Sequence, residues 1–424
     1  LLARAEQLTG HRYGADDAAD VSLRVIAEHA RTAAFLVGDG VLPAKEGRGY
    51  VLRRLMRRAV RHAGLLGVDV GGGAPVAIPM LEAVIDTMAA AYPDLAAQRE
   101  LITRVLAAEE ADFASRLRDG MARVEGAIAE LPAGTPFRGD VAFELHDTFG
   151  FPVDLTAEIV ADAGLGLDRE AFEALMEAQR ERARAGAKKG GGGVPDDVLR
   201  EVGAAAGPGE FVGYDVLEVE ATLAALVAPT GTLEVAGEGD EVLVALDRTP
   251  FYAEGGGQVG DHGVIETATG RLEVVDTQEV LGGLRLHRAR VVAGEVRPGT
   301  GAHARVDVDR RVATGRSHSA THVLHATVKE LVGAHAQQAG SLVQPGRLRF
   351  DFPHFEPLGR DTVEALEQLV NRRVLDDPTV TTEIMDLEDA KRAGAVANFG
   401  DKYGQVVRVV TIGGFSKELC GGTH

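Results

Sequence analysis

The chain has 424 residues, which is too many for one hydrophobic core, so two to four domains are expected. Its formal net charge of −19 argues against nonspecific binding of nucleic acid over the whole surface, but it is compatible with a local basic face. No run approaches the roughly 18 apolar residues of a membrane helix, no secretory signal is visible, and a single cysteine cannot form an internal disulfide, which together predict a cytoplasmic protein.

The first part of the sequence, residues 1–194, is predicted to be a helical region. Residues 20–37 carry apolar side chains at helical spacing, and Asp20 or Ser22 is placed to cap the start of this helix. Residues 95–131 repeat apolar side chains at intervals of three, four and seven, which predicts one long amphipathic helix or a pair of helices. A further helix is predicted after Asp168.

A helix with paired arginines is predicted at residues 47–62, GRGYVLRRLMRRAVRH. Apolar pairs alternate with basic pairs, so the apolar side chains should form a buried face and the basic ones an opposite face. Two interpretations of the basic face stay open: a solvated face that pairs with acids elsewhere in the chain, or a surface that binds phosphate groups. The arginines concerned are Arg53, Arg54, Arg57, Arg58 and Arg61.

Four successive glycines, Gly190–Gly193, followed by Pro195, predict a flexible linker and the main domain boundary. Beyond it, short β-branched segments between glycine-rich turns predict a small β-rich, barrel-like domain over residues 195–310. From residue 311 to 424 the helix and strand patterns mix, which predicts a closing α+β domain. The expected fold class is therefore multidomain α+β.

Two short motifs near the end of the chain share one spacing. HSATH places His318 and His322 one turn apart on a helix, and CGGTH places Cys420 and His424 four residues apart across a Gly-Gly turn. Either pair alone is more often an ordinary surface or core feature, but together they match the donor set of a zinc site. A zinc protease is not expected, because serine follows the first histidine where those enzymes have glutamate. His325, on the same helix face, is interpreted either as a partner of a ligand or as a packing residue.

Longer motifs carry a resemblance to a known family. They are DVSLRVIAEHARTAAFLVGDGVLPAKEGRGYVLRRLMRRAVRH, LHDTFGFPVDLT, RTPFYAEGGGQVGDHG, RSHSATHVLHATVKELVGAHAQQAGSLV and FSKELCGGTH. Together they resemble the alanyl-tRNA synthetases over essentially the whole chain. The first two resemble the helical region that recognises tRNA, and the last three resemble the editing domain that hydrolyses mischarged tRNA. Related editing domains occur in threonyl-tRNA synthetases and in free-standing editing proteins, but the first two motifs favour the alanyl family.

The resemblance implies a role for particular residues of the editing domain. It implies one zinc ion per chain, with four ligands: His318, His322, Cys420 and His424. It places Thr321 beside these ligands and Gln338 in the lining of the editing pocket. Thr321 and Gln338 are therefore the predicted catalytic residues.

The same resemblance implies contacts with the acceptor stem and the 3′ end of tRNA(Ala), and neither DNA nor a membrane as a partner. The arginine-rich helix becomes a candidate contact with the acceptor stem. Asp147 matches an aspartate that the family uses at a G·U wobble pair. At a second position of that contact this sequence has Lys45 where the family has asparagine, and lysine can donate but cannot accept.

The resemblance also leads to an expectation about what the chain lacks. The class II signatures that bind ATP and alanine are expected to precede Leu1, and the chain is expected to be cut at the fourth zinc ligand. It would then be an internal fragment with acceptor-stem recognition and editing but without the aminoacylation core. ATP and Mg²⁺ would be needed only in that missing core.

An editing site has a physical reason in such an enzyme. A pocket for alanine distinguishes glycine or serine by only about 1–3 kcal/mol, so a second site must remove the errors. Two alternatives stay open. One is a free-standing aminoacyl-tRNA deacylase, which would not need the helical region, and the other is a non-enzymatic, zinc-stabilised RNA-binding module.

Overall fold

The structure is a computed structural model that describes residues 1–44, 47–132, 134–187, 194–397 and 403–424. It divides into two units, one formed by residues 1–186 with 354–357 and the other by residues 187–353 with 358–424. The predicted glycine linker, Gly190–Gly193, lies outside the described residues, and so does Lys45.

The first unit is built from helices in its described part. They are α1 (Leu2–Thr9), α2 (Asp17–Gly38), α3 (Gly47–Leu65), α4 (Ala77–Met88), α5 (Pro93–Ala97), α6 (Arg99–Ala129), α7 (Gly139–Asp147), α8 (Val153–Asp162) and α9 (Arg169–Ala187). The periodic segment at 95–131 is thus a helix pair, a short α5 and a long α6, as one of the two predictions stated. The helix predicted after Asp168 is α9.

The predicted cap of α2 is wrong. Asp16 is the N-cap, and its carboxylate accepts a hydrogen bond from Ala19 N at 2.9 Å. Asp20 lies in the first turn and accepts instead from Gly14 N at 2.7 Å. Ser22 is buried inside the helix, where its hydroxyl contacts His62. The start signal was therefore Asp16, which lies four residues before the segment that was predicted to be helical.

The second unit begins with α10 (Asp196–Ala206) and continues into strands. They are β1 (Glu210–Phe211), β2 (Glu218–Ala228), β3 (Gly231–Leu233), β4 (Ala236–Gly237), β5 (Glu241–Leu246), β6 (Arg248–Thr249), β7 (Gly263–Thr267), β8 (Gly270–Val280), β9 (Leu284–Val296) and β10 (Gly301–Val306). Strands β10, β7, β8, β9, β5 and β2 pair antiparallel in that order, and β10 also pairs with β2, which closes a barrel. Buried apolar side chains such as Leu223, Val244 and Ile265 fill its interior. The predicted barrel is confirmed.

The rest of this unit mixes helices and strands, as predicted. Its elements are α11 (Val308–Leu331), β11 (Gly340–Gln344), β12 (Arg347–Asp351), α12 (Arg360–Leu375), β13 (Val380–Asp386), α13 (Leu387–Arg392), β14 (Val406–Ile412) and β15 (Ser416–Leu419). Helix α11 begins at Val308, ten residues before the HSATH motif that was predicted to be helical, and the Asp307 carboxylate caps it by accepting from Arg310 N. It packs against α12, the β11–β12 hairpin and the sheet β13–β14–β15.

The multidomain α+β fold class is therefore confirmed. Within the described ranges, no helix combines the length and the apolar character needed to cross a membrane.

Candidate metal centre

Two elements bring the four predicted ligands to one point. Helix α11 carries His318 and His322, whose rings are stacked with centroids 5.4 Å apart and planes within 5°. Cys420 and His424 follow β15, the last strand of the sheet that packs on α11. One potential ligand atom from each of the four residues lies within 4.8 Å of all the others.

The separations between these atoms suit a zinc ion. Cys420 Sγ lies 3.3 Å from His318 Nε2 and 3.4 Å from His424 Nε2. A tetrahedral ion with bonds of about 2.0 Å to nitrogen and about 2.3 Å to sulfur places those ligands about 3.5 Å apart. The sulfur and the imidazole nitrogens are thus already spaced as zinc ligands.

Glu418 fixes the orientation of His322 from outside the cluster. Glu418 Oε1 lies 3.2 Å from His322 Nδ1 and 3.0 Å from His325 Nδ1. Burial alone would raise the pKa of Glu418, but its hydrogen bonds with these two histidines hold it below its ordinary value, so it is a carboxylate and an acceptor. Nδ1 of His322 therefore donates, and its Nε2, which has no hydrogen-bond partner in the described part of the chain, is available to a metal.

The other two histidines also have a partner on their outer nitrogen. His318 Nδ1 lies 2.7 Å from the side-chain oxygen of Gln258, and His424 Nδ1 lies 3.1 Å from Ser319 Oγ. Each ring therefore has Nδ1 engaged and Nε2 facing the sulfur. Such outer contacts select one tautomer and hold ligand rings in place.

The protonation states also suit a metal. Burial alone would raise the pKa of the Cys420 thiol, but interactions with His318, His322 and His424 bring it well below its ordinary value, towards the thiolate that binds metals. Burial lowers the pKa of His424 to about 4, so this ring is neutral. Burial also opposes protonation of His322, yet Cys420 and Glu418 raise its pKa to about 10. Metal binding at His322 therefore releases a proton.

A cavity of about 1060 Å³ adjoins the centre. Thr423 and His424 contribute to its wall, together with four arginines and two aspartates: Arg311, Arg316, Arg347, Arg408, Asp215 and Asp377. Arg408 also holds the CGGTH turn, because it donates to the carbonyl oxygens of Cys420 and Gly422 at 3.0 and 2.9 Å. A polyanion is the kind of ligand that such a cationic wall accepts.

The two predicted catalytic residues make their own local contacts. Thr321 is buried, and its hydroxyl donates to the Ser317 carbonyl at 2.8 Å. The Gln338 amide donates to Ser341 Oγ at 2.8 Å, and Ser341 in turn contacts the Gly256 carbonyl at 3.4 Å. Gly256 belongs to the glycine-rich loop that carries Gln258. Through Ser341, Gln338 is therefore linked to the loop that carries Gln258, which contacts the centre. The catalytic roles of Thr321 and Gln338 stay predictions.

The arginine helix, α3, has carboxylates around it that its own sequence does not reveal. They come from Glu109 of α6 and from Asp154, Glu158 and Asp162 of α8 or its end. The ion pairs include Arg53–Glu109, Arg54–Asp154, Arg57–Glu109, Arg58–Glu158, Arg61–Glu158 and Arg61–Asp162. The interpretation that these arginines pair with acids elsewhere in the chain is confirmed.

The prediction that the basic residues form a face opposite the apolar one is wrong for two of them. Arg57 and Arg61 are only 5% and 6% exposed. Arg57 Nε donates to Glu109 Oε1 at 2.9 Å, and its Nη1 donates to the Gly150 carbonyl at 3.2 Å. The side chains of Arg54 and Arg58 are 50% and 38% exposed, so phosphate binding stays a prediction mainly for these two.

Asp147 lies at the end of α7 and is exposed. Its carboxylate accepts a hydrogen bond from the Gln179 side chain. It lines a cavity of about 360 Å³ together with Tyr50, Arg53, Arg54 and Arg57. The structure therefore brings the predicted acceptor-stem aspartate and part of the arginine helix to one cavity, although they are about a hundred residues apart in the sequence.

Sequence reasoning missed the residues that hold the ligands. Gln258 belongs to the GGGQVGD segment and Glu418 lies two residues before Cys420, but neither was given a role. The alternation along β15 could have indicated Glu418, because residues two apart on a strand share a face. For Gln258 no such signal exists, since its contact with His318 spans 60 residues.

Curated relatives match the whole chain. It is 46% identical to the alanine–tRNA ligase of Streptomyces avermitilis over 428 residues, 48% identical to that of a Nocardioides species over 430 residues, and 47% identical to that of Frankia alni over 429 residues. Each match covers 100% of this chain but only 47–48% of the relative. The chain thus spans about half the length of these relatives.

Family models match both ends of the chain. The model of the second additional domain of threonyl and alanyl tRNA synthetases matches residues 407–424, and that of class II (A) tRNA synthetases matches residues 1–310. The match to class II (A) tRNA synthetases over residues 1–310 contradicts the expectation that the chain lacks the class II aminoacylation core and carries only recognition and editing regions. That expectation rested on the absence of short ATP-binding signatures, whereas the family match extends over the helical region and the barrel. The chain therefore belongs to the class II (A) family of tRNA synthetases.

Proposed function

We propose that this protein is an alanine-specific tRNA synthetase and that its metal centre serves the hydrolysis of tRNA(Ala) mischarged with serine or glycine. The ligation of alanine with ATP and Mg²⁺, and a cytoplasmic location, belong to the same proposal. The observation that carries the editing part is the convergence of His318, His322, Cys420 and His424, whose potential ligand atoms all lie within 4.8 Å of one another.

The donor set fits zinc, with three neutral imidazoles and one thiolate as ligands. A zinc ion bound there would supply a positive charge that anchors the terminal adenosine or polarises a water molecule. The protein's own residues favour anchoring. Glu418 is a buried carboxylate in contact with a ligand, but it accepts from His322 and His325 and its pKa is low, so it is a poor general base.

Two cavities support tRNA as the substrate. The one beside the metal centre has a wall with Arg316, Arg347 and Arg408, which suits the phosphates of a 3′ end. The one beside α3 has Asp147 together with arginines, as the proposed contact with the acceptor stem requires. The two cavities lie in different units of the structure, and each is proposed as a separate contact.

The test is hydrolysis of seryl-tRNA(Ala) by the wild type, by His322→Ala and by a control, His303→Ala. His303 lies on the barrel strand β10, where it contacts Glu220. We expect His322→Ala to lose both zinc and hydrolysis, and His303→Ala to keep both. Equal rates for the wild type and a folded His322→Ala variant would overturn the editing proposal.

The same assay separates the two alternatives. A wild type that binds zinc and tRNA but leaves seryl-tRNA(Ala) intact is an RNA-binding module. A full-length protein that hydrolyses seryl-tRNA(Ala) but gives no alanine-dependent charging of tRNA is a deacylase.

A further inference from the structure

We propose that Gln258 is the positioning residue of the metal centre, which fixes the tautomer of His318 and ties that ring to the segment that carries His424. This inference rests on the metal centre of the proposed function. Gln258 lies in the loop between β6 and β7 of the barrel and is completely buried. It thus belongs neither to α11 nor to the CGGTH segment, but it contacts both.

The hydrogen bonds of Gln258 determine the orientation of its amide. The backbone N–H of Thr423 lies 3.0 Å from Gln258 Oε1, and Thr423 Oγ1 lies 2.9 Å from Gln258 Nε2. A backbone N–H can only donate, so the atom that faces it must be the amide oxygen. The reverse orientation would place two donors against each other.

This orientation fixes the proton on His318. The same amide oxygen lies 2.7 Å from His318 Nδ1, so Nδ1 must carry the hydrogen. The lone pair is then on Nε2, which faces Cys420 Sγ at 3.3 Å. One oxygen atom therefore accepts from a metal ligand of α11 and from the residue next to His424, and it sets the distance between the two.

The loop that carries Gln258 is itself held in place. Gly257 O accepts from Val343 N at 2.7 Å, and Val259 N donates to Val343 O at 3.1 Å, so strand β11 anchors the loop on both sides of Gln258. Gly257 has a φ of +88°, and a Cβ there would lie 2.2 Å from Ser341 Oγ. Because Gly257 has no Cβ, the loop can pack closely against Ser341, and this packing holds the neighbouring Gln258 in place.

The opposite side of the contact is equally tight. A Cβ at Gly422 would lie 2.0 Å from His318 Cε1 and 3.0 Å from Gln258 Oε1. The second glycine of CGGTH is therefore required where the turn passes the His318–Gln258 pair. Gln258 is thus held by strand β11 on one side and by the CGGTH turn on the other. A rigid position is the property expected of a residue that orients a metal ligand.

The experiment compares the zinc affinity of three variants by competition with a chelator. Gln258→Leu removes the acceptor at similar volume and should weaken zinc binding about 10–100-fold. Gln258→Glu keeps an acceptor for His318 Nδ1 and Thr423 N, and should restore most of that loss. Thr156→Val is the matched control, because Thr156 is equally buried and donates to the Pro152 carbonyl at the start of α8, in the unit that does not contain the centre. It should lower stability but leave the affinity unchanged.

A second measurement does not depend on folding of a variant. In zinc-loaded wild type with ¹⁵N-labelled histidine, His318 should show a protonated Nδ1 and a metal-bound Nε2. A His318 bound through Nδ1 would overturn the proposal, as would unchanged zinc affinity in Gln258→Leu while Cys420→Ala loses zinc. If Cys420→Ala also keeps its zinc, then the metal centre of the proposed function is wrong, which is a distinguishable result.

Discussion

The arginine helix and the metal centre both begin as one residue type repeated at helical spacing, and the fold gives them opposite surroundings. On α3, carboxylates of α6 and α8 reach the arginine head groups, and Arg57 is buried against Glu109. At the centre, Gln258 and Glu418 contact the outer nitrogens of His318 and His322, while Nε2 of His318 faces Cys420 Sγ and Nε2 of His322 has no hydrogen-bond partner in the described residues. A buried arginine that is paired with a carboxylate is structural, whereas several metal-ligating side chains that converge on one point indicate a metal ion.

The largest expected effect comes from the centre. Cys420→Ala removes the only thiolate, and we expect the zinc content to fall from about one equivalent per chain towards none at micromolar free zinc, because three imidazoles bind zinc much more weakly. Metal analysis after dialysis measures this. His303→Ala serves again as the control, and an unchanged zinc content in Cys420→Ala would exclude the sulfur from the ligand set.

A smaller effect is expected when the buried ion pair of α3 is broken. Arg57→Ala leaves Glu109 buried beside Arg53 alone, which should lower the free energy of unfolding by about 3 kcal/mol, near the lower end for buried pairs because one arginine remains. Urea denaturation measures the change. In the Arg57→Ala variant, the further substitution Glu109→Gln should lower the free energy of unfolding by less than it does in the wild type. A loss below about 0.5 kcal/mol in Arg57→Ala would show that this pair is not structural.

The dependence of stability on pH comes next in size. Burial lowers the pKa of both His62 and His287 to about 4, one in each unit. Their unfolded pKa is about 6.5, so between pH 6.5 and 4 the unfolded chain takes up protons that the folded chain does not. The stability that these two neutral histidines contribute should therefore be complete above pH 6.5 and fall as the pH is lowered towards 4. For His287, which is completely buried, this corresponds to a slope of up to about 1.4 kcal/mol per pH unit.

The measurement is denaturation in urea at several pH values. His287→Gln should lower stability at pH 7 because it disturbs contacts with Thr249 and Val244, but it should flatten the slope below pH 6.5. Thr156→Val, which changes an equally buried side chain without removing a titratable group, should leave the slope unchanged. A slope in His287→Gln equal to that of the wild type would contradict the assignment.

Much of the fold could be predicted from local patterns. The 3.6-residue repeats predicted the helices, and the β-branched segments predicted a barrel, because those signals lie within single elements. The closing pair, β10 with β2, joins residues about eighty apart, and no local pattern specifies it. The start of α11 at Val308 was missed because its capping residue, Asp307, lies at the end of a strand-like segment.

For the sites, spacing predicted the residue types but not their surroundings. His318 and His322 were found because the i, i+4 relation is local, and the CGGTH pair because its motif is compact. The acids around α3 come from segments 50 to 100 residues away, so the sequence showed unpaired arginines where the fold has ion pairs. Gln258 was missed for the same reason. Partners that are distant in the sequence therefore decide that the arginine pairs of α3 form ion pairs whereas the histidine pair of α11 forms part of a candidate metal site.

The smallest expected effect on stability comes from Arg54 and Arg58 of α3, and the same substitutions test whether this helix also binds tRNA. Arg54 and Arg58 are the more exposed members of the pairs with Asp154 and Glu158, so Arg54→Ala with Arg58→Ala should change the free energy of unfolding by less than about 1 kcal/mol. If these arginines also bind phosphates of tRNA(Ala), the same double variant should weaken tRNA binding. The slope of log affinity against log salt should then fall by roughly one per lost phosphate.

Arg138→Ala is the control for this measurement, because Arg138 is exposed and pairs only with its neighbour Asp140 among the residues described. It should leave both affinity and slope unchanged. An acid that already holds an arginine competes with phosphate, so binding of each phosphate must outweigh the loss of an ion pair worth up to about 1 kcal/mol. If the tRNA affinity and its salt slope are unchanged in the double variant, Arg54 and Arg58 only stabilise the fold. The arginines of α3 would then be structural, in contrast to the side chains of the metal centre.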